Sequence, residues 1–427
     1  MRILWFTNTP SLATEKLTGS FVVGGGWMES MERKVRELPD VELAVAFPWA
    51  TQEVESLDLD GNSYFKFPSW PQGKWSKLKS RVTNTIEPGD EVQYYLEIVE
   101  KFKPDVIHIF GSERSYGLVI PKIKVPTLIW IQGNLTVYAA KWYSGITRGE
   151  INKYTKLKTF LNGMSWNHQY VRTVKAAKRE QEIFAGCKYF TGRTQWDKRL
   201  ASVLSPGSTY FHCEELMREA FYERQWDNPA SENHLKLFTT IRSNIYKGLE
   251  NIWETSMHLT RIGKGSISWK LAGISEQDEL AQLMVRKYKK TAKEIGLELL
   301  GKVDANRLVK ELCETNVFVH PSHIDNSPNS VCEAMLMGVP IVSTYAGGIP
   351  SLLQDGKEGL LVQDGDSHAM TGAIMEVWNS PELARFFSEN ARKLGLERND
   401  SQAIIARLFE IYEEVLRQEK GITFQQA

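Results

Sequence analysis

Short runs of β-branched and aromatic residues alternate in this chain with longer segments of helical periodicity, and this alternation restricts its fold more than any other feature. Such alternation is typical of parallel sheets whose strands are joined by crossover helices. In the first half it predicts strands near 2–8, 42–48, 62–68, 105–111, 126–132 and 188–192. In the second half it predicts strands near 235–241, 267–273, 297–303, 316–321, 340–345 and 358–362. Both halves are therefore predicted to be Rossmann-like, doubly wound α/β domains.

The periodicity is interrupted between about 213 and 234, where turn-forming residues gather around Asn228-Pro229. We expect an N-terminal domain over 1–213, a linker over 214–234 and a C-terminal domain over 235–399. Ligands of such sheets bind beyond the carboxyl ends of the strands, so a central cleft between the two domains is the expected site.

Four helix signals stand out. The first helix is expected after Gly24-Gly25-Gly26, and another is expected across about 147–185. Ser380 is predicted to cap a helix that has Pro381 at its first position. Asp400 is predicted to cap a final helix that ends near Gln418.

Composition and charge exclude several classes of protein. Lys and Arg number 52 and so do Asp and Glu, so the chain lacks the net positive charge of a nucleic-acid-binding protein. No apolar run approaches the roughly 20 residues that a membrane-spanning helix needs. The four cysteines lack paired spacing, which favours free thiols, and Met1–Phe6 is interpreted as a first strand rather than a secretory leader. The cytoplasm is the expected compartment.

The strongest candidate site follows the strand that ends at His320-Pro321. Ser327-Pro328 can begin the next helix, with Ser327 as its cap and Pro328 at its first position. The amides of Asn329 and Ser330 would then be free donors at the positive end of that helix. The sequence therefore predicts an anion site there.

Two acids flank this helix start. Glu333 follows Asn329 by four residues, so both side chains project from one helix face. A carboxylate at that position can accept both hydrogen bonds of a ribose diol, and Asp325 in the preceding loop can accept bonds from sugar hydroxyls. The alternative is that both are ordinary acids stabilised by the helix dipole, and the spacing leaves the two interpretations open.

Arg242 and Lys247 follow the first predicted strand of the second half. Two cations on a loop between strand and helix can hold a diphosphate, Arg242 by a bidentate fork and Lys247 as a point charge. Such charges also stabilise a departing diphosphate. The alternative is that both are solvated surface charges. Their position at the carboxyl end of a strand favours the diphosphate interpretation over this alternative.

Two glycine runs, Gly24-Gly25-Gly26 and Gly347-Gly348, could bring backbone close to phosphate, and Gly25 is assigned to donor binding. Neither run is a Gly-x-Gly-x-x-Gly fingerprint, which argues against a dinucleotide oxidoreductase. Loops without any ligand are also glycine-rich, so each run is a weak signal.

Three polar residues follow strands of the first half and are predicted to face an acceptor substrate: Glu113, Gln132 and Asn134. His108 lies within its strand and is interpreted as a core histidine. His320, His323, Cys313 and Cys332 match no zinc spacing, so no metal site is expected. The sequence also lacks the Gly-x-Ser-x-Gly elbow of a serine hydrolase.

The segment 141–179 holds nine Lys or Arg residues and one acid, Glu150, interleaved with aromatic residues. The aromatic residues are Trp142, Tyr143, Tyr154, Phe160, Trp166 and Tyr170. This pattern can seat a protein on anionic lipid. A solvated helical face whose aromatic side chains belong to the core is equally compatible with it.

The order of these motifs resembles the family-4 retaining glycosyltransferases of the GT-B fold, in their bacterial polysaccharide-type subgroup. The acid pair Asp325 and Glu333, the run Ala334–Pro340 and the pair Gly347-Gly348 stand in the order of that family's motifs. The segments Thr191–Asp197 and Tyr210–Leu216 are similar to the same subgroup. Two positions depart from the pattern, since Asp325 stands where glutamate is usual and Gln132 where many relatives have histidine.

The resemblance implies retaining, metal-independent transfer of a hexosyl-type sugar from a nucleotide diphosphate sugar to a glycan or lipid-linked acceptor, in surface polysaccharide synthesis. It implies no cofactor and no nucleic-acid partner. The N-terminal domain would bind the acceptor and be braced by the last helix, about 400–420. Arg242, Lys247 and Asp325 would have catalytic roles. The implied donor-binding set is Arg242, Lys247, Asp325, Ser327, Asn329, Ser330, Glu333 and Gly25.

Two alternatives share the same cleft. One is a GT-B nucleotide-sugar epimerase or phosphorylase. The other is a nucleotide-sugar-binding protein without catalysis, which the departures at Asp325 and Gln132 would fit.

Overall fold

The computed structural model describes residues 1–19, 26–227, 233–263 and 265–420 and contains two sheets, of eight and six strands. Gly24, Gly25, Asn228 and Pro229 lie outside the described residues. The donor-binding role predicted for Gly25 therefore stays a prediction.

The first sheet has the strand order β3-β4-β2-β1-β5-β6-β7-β8. All neighbours run parallel except β3 and β4, which form an antiparallel hairpin at one edge. Its strands are β1 (Arg2–Phe6), β2 (Glu42–Trp49), β3 (Glu55–Leu59), β4 (Asn62–Pro68), β5 (Val106–Phe110), β6 (Thr127–Trp130), β7 (Tyr189–Gly192) and β8 (Thr209–His212).

Nine helices accompany this sheet within the described residues. They are α1 (Ala13–Thr18), α2 (Gly26–Arg36), α3 (Gly73–Thr83), α4 (Val92–Phe102), α5 (Leu135–Ala140), α6 (Arg148–Tyr154), α7 (Leu157–Leu161), α8 (Trp166–Gly186) and α9 (Gln195–Leu204).

The second sheet is parallel throughout, in the order β11-β10-β9-β12-β13-β14. Its strands are β9 (His234–Thr240), β10 (Ser266–Ala272), β11 (Leu297–Gly301), β12 (Val317–His320), β13 (Ile341–Thr344) and β14 (Leu360–Val362). The helices are α10 (Leu249–Ile262), α11 (Glu279–Tyr288), α12 (Ala305–Glu314), α13 (Asn329–Met337), α14 (Ser367–Asn379), α15 (Pro381–Arg398) and α16 (Ser401–Glu419).

Strand β1 shows why the first sheet must be covered on both faces. Ile3 and Trp5 pack in one apolar layer with α2 and α16, whereas Leu4 and Phe6 pack in the opposite layer with α4. All four side chains are fully buried. Burial of a large aliphatic or aromatic side chain stabilises the fold by about 1.5–3 kcal/mol, so both layers are needed. The predicted doubly wound α/β class is confirmed, with two such sheets in one chain.

Helix α16 leaves the second half and packs on the first sheet. The Tyr412 hydroxyl accepts a hydrogen bond from Trp5 Nε1 at 3.0 Å and lies 2.7 Å from His108 Nδ1. His108 is fully buried, as predicted for a core histidine. The predicted caps are confirmed too: Asp400 accepts from the Ala403 amide, and Ser380 accepts from the Leu383 amide.

Several predicted elements differ from the structure. Strand β3 is polar and half exposed, and β8 is four residues long, so neither gave a strong strand pattern. Helix α1 precedes the glycine run after which the first helix was expected. The single helix predicted over 147–185 is three helices, α6 to α8, because turns around 155–156 and 162–165 interrupt it.

The aromatic residues of 141–179 belong mainly to the core. Trp142 and Trp166 are buried against the second domain, and Tyr143, Tyr154 and Tyr170 pack on the same cluster. These five side chains pack wholly or partly in the core, which favours the core interpretation of them over the interfacial one. Phe160, the sixth aromatic residue, remains 47% exposed.

Two further features concern the helices and the cysteines. Among the described residues, no helix combines the length and apolar character needed to cross a bilayer. All four cysteines are free thiols, as predicted from their spacing.

Candidate functional site

A cleft of about 640 Å³ lies between the two sheets and is lined by residues of both. On the N-terminal side the lining comes from loops that follow β1, β5 and β6, and on the C-terminal side from loops that follow β9 and β12. These loops stand at the carboxyl ends of parallel strands, where open α/β sheets bind ligands. A volume of this size is typical of small-molecule sites.

Arg242 and Lys247 both line the cleft, on the loop that follows β9. Arg242 is exposed, and Lys247 lies at the end of a single 3-10 turn, Ile245–Lys247. Gly248 follows in a left-handed conformation (φ 75°), and a Cβ there would come within 2.1 Å of the Pro321 carbonyl oxygen. The loop can therefore lie directly against the neighbouring β12 loop because residue 248 is glycine.

Asp325 lies on that neighbouring loop, 7% exposed, and also lines the cleft. Its Oδ2 is 2.5 Å from Lys247 Nζ and 3.2 Å from His320 Nε2. Burial by itself would raise the pKa of Asp325, but the charge of Lys247 and the adjacent His320 hold it well below its ordinary value. The side chain is therefore an anion and hydrogen-bond acceptor at any physiological pH.

The glycine pair that follows β13 supports this loop from behind. A Cβ at Gly347 would come within 2.0 Å of the Asp325 carbonyl oxygen, and one at Gly348 within 2.1 Å of the Asn326 carbonyl oxygen. The Gly348 amide donates to the Asp325 carbonyl at 2.9 Å. Neither glycine lines the cleft, so the close approach predicted for phosphate is instead made to the Asp325 loop.

Helix α13 begins at the floor of the cleft. It starts at Asn329 with Pro328 as the preceding residue, and the Ser327 side chain makes no capping hydrogen bond. The capping role predicted for Ser327 is wrong by one residue, because Pro328 occupies the cap position. Ser327, Asn329 and Ser330 all line the cleft. The amides of Val331 and Cys332 both donate to the Pro328 carbonyl and make the first hydrogen bonds of the helix. The amides of Asn329 and Ser330 are left as free donors at the helix end.

Glu333 lines the cleft one turn further along α13 and is 5% exposed. Arg218 donates to its Oε1 twice, from Nε at 3.0 Å and from Nη2 at 2.5 Å. Burial raises the pKa of Glu333, and Arg218 counteracts this shift. Arg218 itself lines the cleft and was not identified from the sequence, because a single arginine in a segment without periodicity carries no signal.

A second arginine missed by sequence reasoning reaches across the cleft. Arg193 follows β7 directly and is 3% exposed. It donates from Nη1 to Asn329 Oδ1 at 3.0 Å and from Nη2 to the Ser327 carbonyl at 2.6 Å. Its Nη1 also lies 2.9 Å from Glu215 Oε2. Its place at the carboxyl end of a predicted parallel strand was the signal that could have found it.

Two of the three predicted acceptor-side residues line the N-terminal wall. Glu113 accepts a hydrogen bond from Asn8 Nδ2 at 2.6 Å, and its burial raises its pKa. Gln132 donates from Nε2 to Glu215 Oε1 at 3.0 Å. Asn134 does not line the cleft. It is fully buried and caps α5, accepting the Val137 amide at 3.0 Å, so local capping decides its orientation.

Aromatic and polar contacts hold the two walls together. Tyr138 of α5 stacks on Tyr246 of the β9 loop, with ring centroids 4.9 Å apart, and both line the cleft. His323 lies between Glu250 and Asp364, and Asp364 also pairs with Lys141 of the first half at 3.4 Å. Within the described ranges, no group of three or more His, Cys, Asp or Glu side chains is arranged to hold a metal ion.

A crystal structure of an Anabaena protein in complex with UDP and glucose has the same architecture. It aligns with a TM-score of 0.64 at 13% identity, over 97% of this chain and 100% of that one. The two facing sheets and the cleft between them define the GT-B fold.

The second half of the chain is also similar in sequence to a known family. Residues 240–380, which contain Arg242, Lys247, Asp325 and Glu333, match the family model described as glycosyl transferases group 1. This region of the chain is therefore similar to the glycosyl transferases of group 1.

Curated glycosyltransferases are similar to this chain as well. The chain is 27% identical to the amylovoran biosynthesis glycosyltransferase of Erwinia amylovora over 367 residues, which are 79% of this chain and 83% of the relative. It is 36% identical over 122 residues to the N-acetyl-α-D-glucosaminyl L-malate synthase of Bacillus anthracis. That match spans 29% of this chain and 32% of the synthase.

Proposed function

We propose that the protein transfers a sugar from a nucleotide diphosphate sugar to a glycan or lipid-linked acceptor, with retention at the anomeric carbon and without a metal ion. The observation that carries the proposal is the convergence of Arg242, Lys247, the α13 amide donors and two acids in one interdomain cleft. The cations and amides suit a diphosphate, and the acids suit hydroxyl groups.

The proposed donor pose follows from the order of groups along the cleft floor. The diphosphate lies over the amides of Asn329 and Ser330, between Arg242 and Lys247. Glu333 accepts hydrogen bonds from the ribose, and Arg218 fixes its carboxylate for that purpose. Asp325 accepts hydrogen bonds from the donor sugar. Its anionic state, which Lys247 maintains, supports this role and argues against a role as general acid.

In the proposed mechanism the bond between the anomeric carbon and the diphosphate oxygen breaks while Arg242, Lys247 and the helix amides stabilise the charge on the leaving group. The acceptor hydroxyl attacks from the same face. Its proton passes to the departing phosphate oxygen, so no protein group needs to take it. These fixed charges supply the stabilisation that a metal ion gives elsewhere, which supports the metal-independent assignment.

We propose that the acceptor lies against the N-terminal wall beside Glu113 and Gln132, and that the product is a surface polysaccharide. The Erwinia relative, named for amylovoran biosynthesis, supports the second point. The free thiols of the four cysteines support a cytoplasmic location, since disulfides are rare there. The basic segment 141–179 supports association with an anionic membrane face.

The test is a screen of nucleotide sugars with UDP, GDP and ADP bases in buffer that contains EDTA. One donor is expected to raise the melting temperature of the protein and to release its nucleoside diphosphate when acceptor is present. Arg242→Ala is expected to lower kcat/KM by about 10²–10³-fold, whereas Arg199→Ala, a change at an exposed site on α9, should not. NMR of the product assigns the anomeric configuration.

Four outcomes would overturn parts of the proposal. Binding without turnover for every donor and acceptor would indicate a nucleotide-sugar-binding protein. Conversion of the donor without acceptor would indicate an epimerase, and dependence on inorganic phosphate would indicate a phosphorylase. An inverted product would contradict the retaining mechanism while leaving the transferase assignment intact.

A further inference from the structure

Helix α3 exposes an apolar face. Trp75, Leu78 and Val82 are 84%, 39% and 53% exposed. Their spacing of three and four residues places them on one side of the helix. A tryptophan left this far in solvent on a helix with an apolar stripe is a common mark of an interaction surface.

A second exposed apolar cluster lies on α7 and the turn after it. Leu157, Phe160 and Leu161 are 72%, 47% and 65% exposed, and Met164 is 45% exposed. Spacings of three and four residues again put the first three on one face of their short helix.

The two clusters are neighbours in the fold. The Arg81 guanidinium at the end of α3 approaches Met164 Sδ at 3.8 Å. A Cβ on Gly163 would come within 2.4 Å of the Arg81 carbonyl oxygen, so the two backbones are in direct contact. Arg172 of α8 donates to the carbonyls of both Arg81 and Gly163, at 3.3 and 3.1 Å. We call this surface, formed by α3, α7 and Met164, the α3–α7 patch.

The charge of the patch has one sign. Neither 73–86 nor 151–179 contains an Asp or Glu residue. Seven basic residues on or next to α3, α6 and α7 are exposed, so the exposed charge in these segments is positive. They are Lys74, Lys77, Lys79, Arg81, Lys153, Lys156 and Lys158.

We propose that the α3–α7 patch docks the enzyme on an anionic lipid bilayer, with the apolar side chains in the headgroup region and the lysines on lipid phosphates. The inference rests on the proposed function, whose membrane association it assigns to a specific surface. Large exposed apolar side chains that alternate in sequence with exposed cations match the chemistry of an anionic interface. Of the six aromatic residues first considered for this contact, Phe160 belongs to the patch and the other five pack wholly or partly in the core. Helix α3 lies outside the segment that the sequence indicated.

The experiment is sedimentation of the full chain with vesicles of phosphatidylglycerol and phosphatidylethanolamine, compared with vesicles of phosphatidylcholine. We expect binding to the anionic vesicles that falls as salt is added. Trp75→Ser with Phe160→Ser should weaken it by about tenfold or more, and so should Lys74→Gln with Lys77→Gln. Matched controls change other exposed residues: Val203→Ser with Phe386→Ser, and Lys290→Gln with Lys293→Gln. The controls should bind like the wild type.

Release of nucleoside diphosphate in the presence of a soluble acceptor, without vesicles, separates the two proposals. If the patch variants keep this activity and lose vesicle binding, the inference is supported. If the wild type turns over donor but ignores anionic vesicles, or binds both vesicle types equally, the patch inference falls and the proposed function stands. If vesicle binding persists without turnover of any donor, the proposed function falls instead.

Other occupants of the patch predict different results. A dimer in analytical ultracentrifugation that the patch variants dissociate, without vesicle binding by the wild type, would assign the surface to a second copy and overturn the inference. Equal loss of vesicle binding in the control variants would show nonspecific adsorption and would also overturn it.

Discussion

Lys247 and Asp325 form an ion pair, with Nζ 2.5 Å from Oδ2, on loops that follow the adjacent strands β9 and β12. The side chains are 17% and 9% exposed. Each charge loses most of its contact with water on folding, and the opposite charge of its partner compensates for that loss. Removal of one partner leaves the other charge buried, which costs more than the intact pair contributes. The pair therefore links the stability of the cleft to its proposed chemistry.

The first prediction concerns this pair. Lys247→Ala should lower the free energy of unfolding by about 1–3 kcal/mol, less than for a fully buried pair because Lys247 is partly exposed. It should also lower kcat/KM by about 10²-fold or more. Lys247→Arg keeps the charge and should retain most of the stability. Chemical denaturation measures the first effect, and wild-type stability of Lys247→Ala would show that the pair contributes nothing.

The second prediction concerns the stability of the protein at acidic pH. The pKa of Asp325 is lower in the folded protein than in the unfolded chain. Its contribution to stability is therefore complete above the ordinary carboxyl pKa of about 3.9, and it is lost as pH falls below that value. Asp325→Asn should destabilise the protein at neutral pH and reduce the steepness of its loss of stability in acid. Urea denaturation of both proteins between pH 3 and pH 7 is the measurement, and parallel profiles would contradict the prediction.

The third prediction concerns Glu180, whose contribution to stability has the opposite pH dependence. Burial raises the pKa of Glu180 to about 7, and its carboxylate accepts from Ser112 Oγ and the Thr136 amide. Because the folded state holds this proton more tightly than the unfolded chain, stability falls as pH rises from about 4.5 to about 7. Glu180→Gln should remove that loss, worth about 3 kcal/mol well above pH 7. A variant that loses as much stability over this range as the wild type would show that Glu180 is not the group responsible.

The fourth prediction concerns Arg193, which we expect to position the start of α13 rather than to contact reacting atoms. Lysine cannot reproduce its fork to Asn329 Oδ1 and the Ser327 carbonyl. Arg193→Lys should therefore raise the KM for the donor by about tenfold with a smaller change in kcat. The exposed Arg199→Lys is the control. A loss confined to kcat would instead indicate a catalytic role.

The fifth prediction separates backbone strain from steric displacement. Gly347 and Gly356 both have positive φ, 56° and 74°, but the Gly347 position faces the Asp325 carbonyl at 2.0 Å and the Gly356 position is open. Gly356→Ala should cost about 1 kcal/mol of stability and leave activity unchanged. Gly347→Ala should cost more and also lower kcat/KM, because the Asp325 loop must move. Equal effects of the two changes would show that the Asp325 loop does not depend on this contact.

Much of the fold followed from periodicity. Continuous apolar runs such as β5 and β12 predicted buried parallel strands, and the caps at Ser380 and Asp400 were identified because their partners lie three residues away. The predictions failed where local patterns were weak, as in β3, or where a short-range competitor prevailed, as in the capping of α5 by Asn134.

The sequence by itself determined two doubly wound α/β sheets. It also placed Arg242, Lys247 and Asp325 on loops at strand ends and Glu333 in the helix that follows, because residue spacing and strand direction act over short distances. Tertiary structure decided which distant groups complete the site. Arg193 and Arg218 reach Asn329 and Glu333 from more than 100 positions away, and the exposed stripes of α3 and α7 adjoin through Arg172. Such contacts depend on how two domains and their helices pack, and no local pattern encodes the distance between them.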